Sequence, residues 1–345
     1  MWSSGQTWPL FDLGPRSTAV YGFPYLMVHR GDLQMLLARA VERARPGTLL
    51  LDARMTAVEQ HDDRVFAVLH DGRRLASRVL VGADGVHSQV HAQIVPPLAA
   101  RFTGCMAWCG LVAAHRLPGH LRRKVGVNWV GPGRHVVTYP VRGGELINFV
   151  GVVERSARET ESWTAPGTRE ACSRDFAGWH EDVHTLIDGI EEHWRWALVD
   201  REPIDAWSKH RVVLLGDACQ PMLPFVAQGA VMAIEDGVVL ARCLIASADV
   251  QQAFRRYEAV RVPRANRCVR ATSRNRQIFH DGRLAEADEA AAYVRDQWSE
   301  SRVEERYDWL FSQDAVTCPI EAGDAAMAHQ TTSGTRHDRW IKQPQ

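Results

Sequence analysis

The 345-residue chain has no apolar run long enough to cross a membrane and shows no signal-peptide pattern. Its 41 basic and 41 acidic residues cancel, so neither a nucleic acid nor a membrane is indicated as a partner. The seven cysteines include no C-x-x-C pair, which predicts a reduced, cytoplasmic protein. Fifteen histidines are scattered without metal-ligand spacing, so no metal is expected.

A glycine-rich turn is also missing near the N-terminus, where no strand is followed by G-x-G-x-x-G. Such a turn, placed before a helix, binds the pyrophosphate of a dinucleotide. The first twenty residues are instead rich in Trp, Gly and Pro and are typical of a connecting segment. We therefore expect an N-terminally truncated form of a longer fold, or a misplaced start codon.

The most informative stretch that is present runs from residue 211 to 244. Its apolar start, Val212 to Leu215, predicts a buried parallel strand, which Gly216 and Asp217 end. A proline-containing loop follows, and from Gln228 an apolar residue recurs every three or four positions. This period predicts a helix whose apolar face consists of Val231, Ile234, Val238, Ala241 and Leu244. A carboxylate at a strand end, beside a helix N-terminus, suits a ligand with hydroxyl groups and an electron-rich ring or phosphate.

This stretch resembles the GD motif of the single-component (class A) flavoprotein aromatic hydroxylases, which have the para-hydroxybenzoate hydroxylase fold. The resemblance extends through Gln228-Gly229-Ala230 and Glu235-Asp236. It implies that Gly216 and Asp217 contact FAD, with the Asp217 carboxylate on the ribityl chain. It also implies that Gln228, Gly229 and Ala230 face the flavin pyrimidine. The family usually reads GDAAHP at this turn, where this chain reads GDACQP, with Cys219 and Gln220.

Two earlier motifs resemble the same family. His29-Arg30-Gly31-Asp32-Leu33 is similar to its HR-x-D-L segment, which implies that Arg30 reaches FAD. Asp32 is a candidate N-cap for the helix that follows, whose predicted apolar face consists of Leu33, Leu36, Leu37, Ala40 and Val41. Residues 82–88 resemble the GADG-x-x-S motif, which implies that Asp84 and Gly85 lie close to the cofactor. His91 stands where the family usually has arginine.

Short apolar or alternating segments predict the sheets. Strands are expected at 48–51, 65–69 and 79–81, with a hairpin turn at Asp71-Gly72. Segments 105–112, 125–130, 135–139 and 146–153 predict a largely antiparallel sheet. His135 and Tyr139 are four residues apart on one predicted strand, so both point to the same face. Their spacing alone suits a buried core pair equally well, but the family resemblance implies that both contact the substrate and act in catalysis.

The predicted fold class is α/β, with an N-terminally truncated, FAD-binding Rossmann-like domain of the glutathione-reductase type. A mostly antiparallel β-sheet substrate domain is inserted into it, and helices follow at the C-terminus. The expected boundaries are 1–102 and 195–280 for the FAD-binding domain and 103–194 for the substrate domain. A helical extension at 281–320 and a disordered tail at 321–345 complete the chain. Helical stretches are expected at 163–189, with a break at Gly178-Trp179-His180, and at 250–279 and 285–306. The stretch at 250–279 is expected to have a solvated, charged face.

The resemblance implies a monooxygenase that hydroxylates a small aromatic acid, similar to salicylate, hydroxybenzoate or 6-hydroxynicotinate, through a flavin hydroperoxide. FAD is the expected cofactor, and NADH or NADPH the transient co-substrate. Pro224 and Phe225 are expected to contact the substrate, and the protein to be a monomer or homodimer. The alternative is a catalytically impaired flavoprotein remnant that lacks the pyrophosphate-binding unit.

Overall fold

The computed structural model describes residues 1–95, 101–155 and 165–321. The strands are β1 Met55–Gln60, β2 Val65–Leu69, β3 Arg74–Ser77, β4 Leu80–Gly82, β5 Arg101–Ala113, β6 Val127–Gly131, β7 Arg134–Val141, β8 Leu146–Glu154, β9 Ala165–Pro166, β10 Trp194–Asp200, β11 Ser208–Lys209 and β12 Val212–Leu214. The helices are α1 Pro15–Tyr21, α2 Arg30–Ala44, α3 Gln89–Ile94, α4 Arg169–Asp175, α5 Glu181–Gly189, α6 Gly229–Ala246, α7 Val250–Phe279, α8 Ala287–Gln297 and α9 Glu300–Phe311.

The described residues pack into two compact units. The first unit takes its residues from Met1–Asp52, Ala100–Asp200 and Ser273–Ser312, and the second from Ala53–Ala99, Arg201–Thr272 and Gln313–Gln345. These units are defined by packing, and the functional domain boundaries expected from the sequence stay a prediction. The predicted tail from 322 onward lies outside the described residues.

The first unit is built on a six-stranded sheet with the order β6-β7-β8-β5-β10-β9. Every neighbouring pair is antiparallel, as the alternating segments predicted. One face of the sheet packs against α4 and α5 through Trp108, Val136, Phe149 and Phe176, which are almost fully buried. Since side chains alternate along a strand, Cys109, His135 and Tyr139 lie on the opposite face.

The second unit contains two three-stranded sheets. The first, β1-β2-β3, is antiparallel, and its β2–β3 hairpin turns at Asp71-Gly72 as predicted. In the second sheet β12 pairs with β4 in parallel and with β11 in antiparallel. Residues of β12 pack against apolar side chains of α6 and α7, including Val239, Leu240, Phe254 and Tyr257. This core fixes the carboxyl end of β12, where the Gly216-Asp217 turn begins.

The prediction of a strand at 48–51 is wrong, because this segment forms neither a helix nor a strand. Leu51 is 83% exposed, so the apolar composition that predicted a buried strand does not correspond to buried side chains here. The predicted apolar face of α2 is likewise not a core face, since no residue of α2 is buried. Asp32 is not its N-cap either. His29 holds that position, while Asp32 accepts two hydrogen bonds of 2.7 Å from Arg142, which holds the pKa of Asp32 at about 2.

The prediction of the apolar face of α6 is wrong, because the buried face lies about half a turn away, on the opposite side of the helix. Val231 and Ile234 are 41% and 48% exposed, while the buried side carries Met232, Glu235, Asp236, Val239, Leu240 and Cys243. Two carboxylates are buried there because arginines of α7 pair with them. The prediction that the charged face of α7 is solvated is also wrong in part, because Arg261 and Arg264 are buried. An apolar period cannot reveal a buried stripe that contains paired charges.

The remaining helices follow the expectations more closely. Helix α7 occupies 250–279 as predicted, while the stretch expected at 285–306 consists of two helices, α8 and α9. The helix expected at 163–189 consists of α4 and α5, and its first two residues lie outside the described part. None of the described helices combines the length and the apolarity that crossing a membrane requires. All seven cysteines are free thiols, and five of them are buried: Cys105, Cys172, Cys219, Cys243 and Cys268.

Candidate functional site

The Gly216-Asp217 turn lies in the second unit, directly after β12. Gly216 has a φ of 62°, a left-handed conformation that glycine adopts without the strain of a Cβ. The turn leaves Asp217 exposed at the carboxyl end of the strand. A Cβ added to Gly229, the first residue of α6, would lie 3.9 Å from Oδ1 of Asp217. The carboxylate and the N-terminus of an 18-residue helix therefore lie side by side.

A buried carboxylate holds this turn in place. Oδ2 of Asp236 accepts a hydrogen bond of 3.0 Å from the backbone N–H of Gly216 and a second from the side-chain amide of Gln220. Oδ1 of Asp236 accepts one of 2.6 Å from Nε of Arg261. Gln220 is buried and binds within this network, so the residue that replaces the family histidine shapes the loop.

The network continues along α6 and α7. Arg261 donates to Glu235 at 2.6 Å, and Arg264 donates to the same carboxylate at 2.7 and 2.8 Å. Burial raises the pKa of Asp236, and the neighbouring Arg261 opposes that rise. Charged groups this deep are stable only when they are paired and hydrogen-bonded, as these are. The network thus fixes the backbone that presents Asp217.

The Asp84-Gly85 loop is held by its own hydrogen bonds. Oδ1 of Asp84 accepts from the hydroxyl of Ser88 at 2.5 Å, and Oδ2 accepts from the backbone N–H groups of Gln89 and Val90 at 2.7 and 3.2 Å. Gly85 has a positive φ of 79°. Asp84 therefore fixes the loop at the start of α3, and the cofactor contacts expected of Asp84 and Gly85 stay a prediction.

The other predicted residues of the second unit surround the start of α6. Pro224 and Phe225 lie in a single helical turn, with Pro224 exposed and Phe225 buried. Gln228 is buried and precedes the helix, whereas Ala230 in its first turn is exposed. The exposed Pro224 offers a surface for a ligand, while Phe225 packs inside the loop. Substrate contacts of this pair stay a prediction.

In the first unit, Tyr139 is half-buried on the sheet face opposite to α4 and α5. It pairs across strands with Asn148, whose side chain lowers the pKa of its phenol. Burial raises the pKa of Tyr139, and nearby Cys109 and Tyr25 raise it further, while Arg30 lowers it. Arg30 also lowers the pKa of Cys109, although burial raises that pKa to about 12. The charge of Arg30 thus acts on the phenol of Tyr139, and both predicted residues belong to the first unit.

His135 lies on the same strand as Tyr139, about 13 Å away at roughly 3.3 Å per residue. Its Nδ1 is 2.7 Å from Nε2 of His280, and its ring packs against Phe279 at 5.2 Å between centroids. Burial, and then the neighbouring His280, hold the pKa of His135 well below its usual value. A cavity of about 180 Å³ is lined by Tyr139, and His135 is not among its described lining residues. Catalytic and substrate contacts of both residues stay a prediction.

Sequence analysis missed the partners of the predicted residues. Asn148 and Cys109 lie on neighbouring strands, and only the strand register places them beside Tyr139. His280 is 145 residues from His135 and carries no local motif. For the helix that contains Arg261, the sequence predicts only a solvated, charged face. The burial of Arg261 depends on the packing of α7 against α6, and the periodicity of the sequence does not reveal this packing.

The residues of the second unit fit part of a FAD molecule. The exposed carboxylate of Asp217 suits the hydroxyl groups of a ribityl chain, because a charged acceptor makes the stronger hydrogen bonds. The first turn of α6 offers unpaired N–H groups and partial positive charge to an electron-rich ring edge. Gly229 and Ala230 keep this turn accessible to such a ring. Both features were predicted from the sequence, and the structure places them side by side.

A family model described as FAD binding domain matches residues 21–272. The 3-amino-4-hydroxybenzoate 2-monooxygenase PtnB3 of Streptomyces platensis is 36% identical over 317 residues, which cover 91% of this chain and 78% of that protein. The 6-hydroxynicotinate 3-monooxygenase of Bordetella bronchiseptica is 34% identical over 331 residues, with coverages of 95% and 79%.

Among solved structures, Klebsiella pneumoniae HpxO complexed with FAD and uric acid matches with a TM-score of 0.70 and 27% identity. The match covers 85% of this chain and 73% of that one. The fold, the residues at the Gly216-Asp217 turn and the relatives thus indicate the same family as the sequence motifs. The chain belongs to the single-component, FAD-dependent aromatic hydroxylases, and FAD is its cofactor.

Proposed function

We propose that this protein hydroxylates a small aromatic acid that carries a ring hydroxyl or amino group, with NADH or NADPH and O₂ as co-substrates. The observation that carries this proposal is one face of the sheet, on which the strand register places Tyr139, Asn148 and Cys109, and where the charge of Arg30 lowers the pKa values of Tyr139 and Cys109. It combines a phenol, an amide and a cation, which suits an anionic aromatic ring. The relatives support the substrate class, since their names specify hydroxybenzoate and hydroxynicotinate rings.

Bound FAD supplies the reducing and oxygen-activating chemistry, and the protein must orient the ring and handle its protons. The raised pKa of Tyr139 keeps its phenol protonated near neutrality, so it orients the substrate and donates a hydrogen bond. His135 is also neutral, because burial lowers its pKa, and a neutral imidazole can accept a proton. The residues proposed to hold the cofactor are Asp217, Gly229 and Ala230.

The direct test is hydroxylation with purified protein, FAD and NADH or NADPH. We would use 3-hydroxybenzoate, salicylate, 6-hydroxynicotinate and 3-amino-4-hydroxybenzoate, and measure product by chromatography against nicotinamide oxidised. Substrate-dependent product formation is expected with at least one of these acids. Nicotinamide oxidation without any hydroxylated product, or no binding of FAD in a calorimetric titration, would contradict the proposal and favour the impaired remnant.

The role of Asp217 gives a sharper prediction. Asp217→Ala should raise the Kd for FAD about 10- to 100-fold, because a hydrogen bond to a charged acceptor contributes about 1.5–3 kcal/mol. Asp63→Ala is the matched control, since it removes an exposed carboxylate from the same unit. Calorimetry with FAD measures both variants. An unchanged Kd for Asp217→Ala would show that this carboxylate does not bind the ribityl hydroxyls.

A further inference from the structure

A cysteine, a glutamate and a histidine of the first unit lie close together. Ligand atoms of Cys105, Glu154 and His280 are all within 4.8 Å of one another. Cys105 belongs to β5, Glu154 is the last residue of β8, and His280 directly follows α7. Because these positions are far apart in the chain, the sequence shows no metal-ligand spacing here, although the three side chains offer a thiol, a carboxylate and an imidazole to one point.

The backbone fixes these residues relative to one another. Cys105 and Glu154 are directly opposite each other in the antiparallel β5–β8 pair, so their side chains lie on the same face of the sheet. Gly133, between β6 and β7, joins the other pair. Its carbonyl accepts from the backbone N–H of Glu154 at 2.9 Å, and its N–H donates to the carbonyl of His280 at 3.4 Å. Sheet pairing and a turn therefore hold the cluster together.

The donor set and its burial favour Zn²⁺. A thiolate and an imidazole are ligands that Zn²⁺ prefers, whereas Mg²⁺ and Ca²⁺ take oxygen ligands. Cys105 is 0% exposed and the side chain of His280 is 3% exposed, while that of Glu154 is 50% exposed. The carboxylate of Glu154 thus offers a hydrated ion a path from solvent to the two buried donors.

We propose that Cys105, Glu154 and His280 bind one Zn²⁺ ion, with a water molecule as the fourth ligand. Zinc bonds of about 2.0–2.3 Å in a tetrahedron place neighbouring ligand atoms roughly 3.3–3.7 Å apart. The contact of 2.9 Å between Nδ1 of His280 and Oε1 of Glu154 would open by about half an ångström, and separations up to 4.8 Å would close by about an ångström. Rotation of the exposed Glu154 side chain supplies much of this change. The thiol of Cys105 releases its proton to solvent when the ion binds.

His135 supports the histidine ligand from the interior. Its Nδ1 is 2.7 Å from Nε2 of His280. Without a metal, the carboxylate of Glu154 can only accept, so the proton of neutral His280 is on Nδ1 and Nε2 accepts from His135. With Zn²⁺ on Nδ1, that proton moves to Nε2 and is donated to His135. A second ring N–H that donates to a fixed acceptor is the usual arrangement of a metal-bound histidine.

A positive charge near the cluster sets a requirement for binding. Arg276 donates from Nη1 to the carbonyl of Thr103, two residues before Cys105. Burial raises the pKa of Cys105, and the charge of Arg276 lowers it and so favours the thiolate. The same charge repels a metal ion. Both negative ligands, the Cys105 thiolate and the Glu154 carboxylate, are therefore needed to neutralise the buried cation.

Calorimetric titration with Zn²⁺ of the full chain, first treated with EDTA and desalted, tests the site. We expect one ion per chain. Cys105→Ser should raise the Kd about 10²-fold or more, because losing even a supporting hydrogen bond costs about 10- to 100-fold. Glu154→Gln, an exposed change that spares the core, should raise the Kd at least about 10-fold. Cys172→Ser, the matched control, removes another buried thiol from the same unit and should bind like the wild type.

Two spectra identify the ligands independently of affinity. Co²⁺ should give thiolate-to-metal charge-transfer absorption in the wild type and none in Cys105→Ser. Two-bond ¹H–¹⁵N NMR spectra, assigned with His280→Asn, should show His280 change from the Nδ1–H to the Nε2–H tautomer when Zn²⁺ is added.

A wild type that binds no Zn²⁺ would overturn the site, as would equal Kd values for wild type and Glu154→Gln. Absence of the thiolate band with Co²⁺, or an unchanged His280 tautomer at saturating Zn²⁺, would do the same. None of these measurements uses turnover, so they separate this site from the proposed hydroxylation.

Discussion

Arg261→Ala is expected to lower the free energy of unfolding by about 3–5 kcal/mol, the usual effect of breaking a buried ion pair by removing one partner. Arg261 is fully buried and donates to two carboxylates, at 2.6 Å each. Without it, the donors to Asp236 among the described residues are the neutral Gly216 and Gln220, and Glu235 is paired with Arg264. The cost comes from the buried negative charges that the substitution leaves, more than from the lost attraction itself.

Urea unfolding followed by circular dichroism measures this loss. Arg255→Ala is the matched control, because Arg255 is an exposed arginine on the same helix. Surface substitutions of this kind change stability by about 0.5 kcal/mol or less. If the two variants unfolded at the same urea concentration, the carboxylates of α6 would be protonated or solvated, and the network would not be what holds α6 against α7.

Tyr139→Phe should slow hydroxylation by about 10²- to 10⁴-fold, the range for groups that handle protons in catalysis. The substitution keeps the ring and removes only the hydroxyl, so the packing of the sheet should survive. We expect more nicotinamide to be oxidised for each product molecule, with hydrogen peroxide released instead. Flavin reduction should be less affected, because it does not require the substrate hydroxyl to lose its proton.

The measurement is product formed per nicotinamide oxidised, together with the melting temperature. Tyr293→Phe is the control, since it also removes a buried phenol hydroxyl from the first unit, one that donates to the carbonyl of Ile278. It should cost about 1 kcal/mol of stability and leave the coupling ratio unchanged. Unchanged turnover and coupling in Tyr139→Phe would assign Tyr139 to the core of the sheet.

Much of the local structure could be predicted because local chemistry determines it. The Gly216-Asp217 turn follows from an apolar strand, a glycine that adopts a positive φ and a helix that begins at residue 229. The β2–β3 hairpin follows from Asp71-Gly72 in the same way. These elements depend on residues that are neighbours in the chain, and a single sequence is sufficient to read them.

The errors have a common cause in long-range packing. Residues 48–51 have the composition of a buried strand, but a strand needs a partner, which the composition does not supply. The buried side of α6 contains Glu235 and Asp236 because Arg261 lies 25 residues beyond Asp236 and folds back onto it. The contact between the rings of His135 and His280 joins residues that are 145 positions apart. Such pairings are set by tertiary structure, and a periodicity cannot encode them.

The rates at which the buried thiols described above become reactive can report when each unit opens. Alkylating reagents react with the thiolate, so Cys172 in the first unit and Cys243 in the second, both buried and with raised pKa values, should be protected in the folded protein. Each becomes reactive only when its own unit opens. Pulse labelling followed by peptide mass spectrometry would therefore time the opening of the two units separately, within one native sample and without any introduced probe.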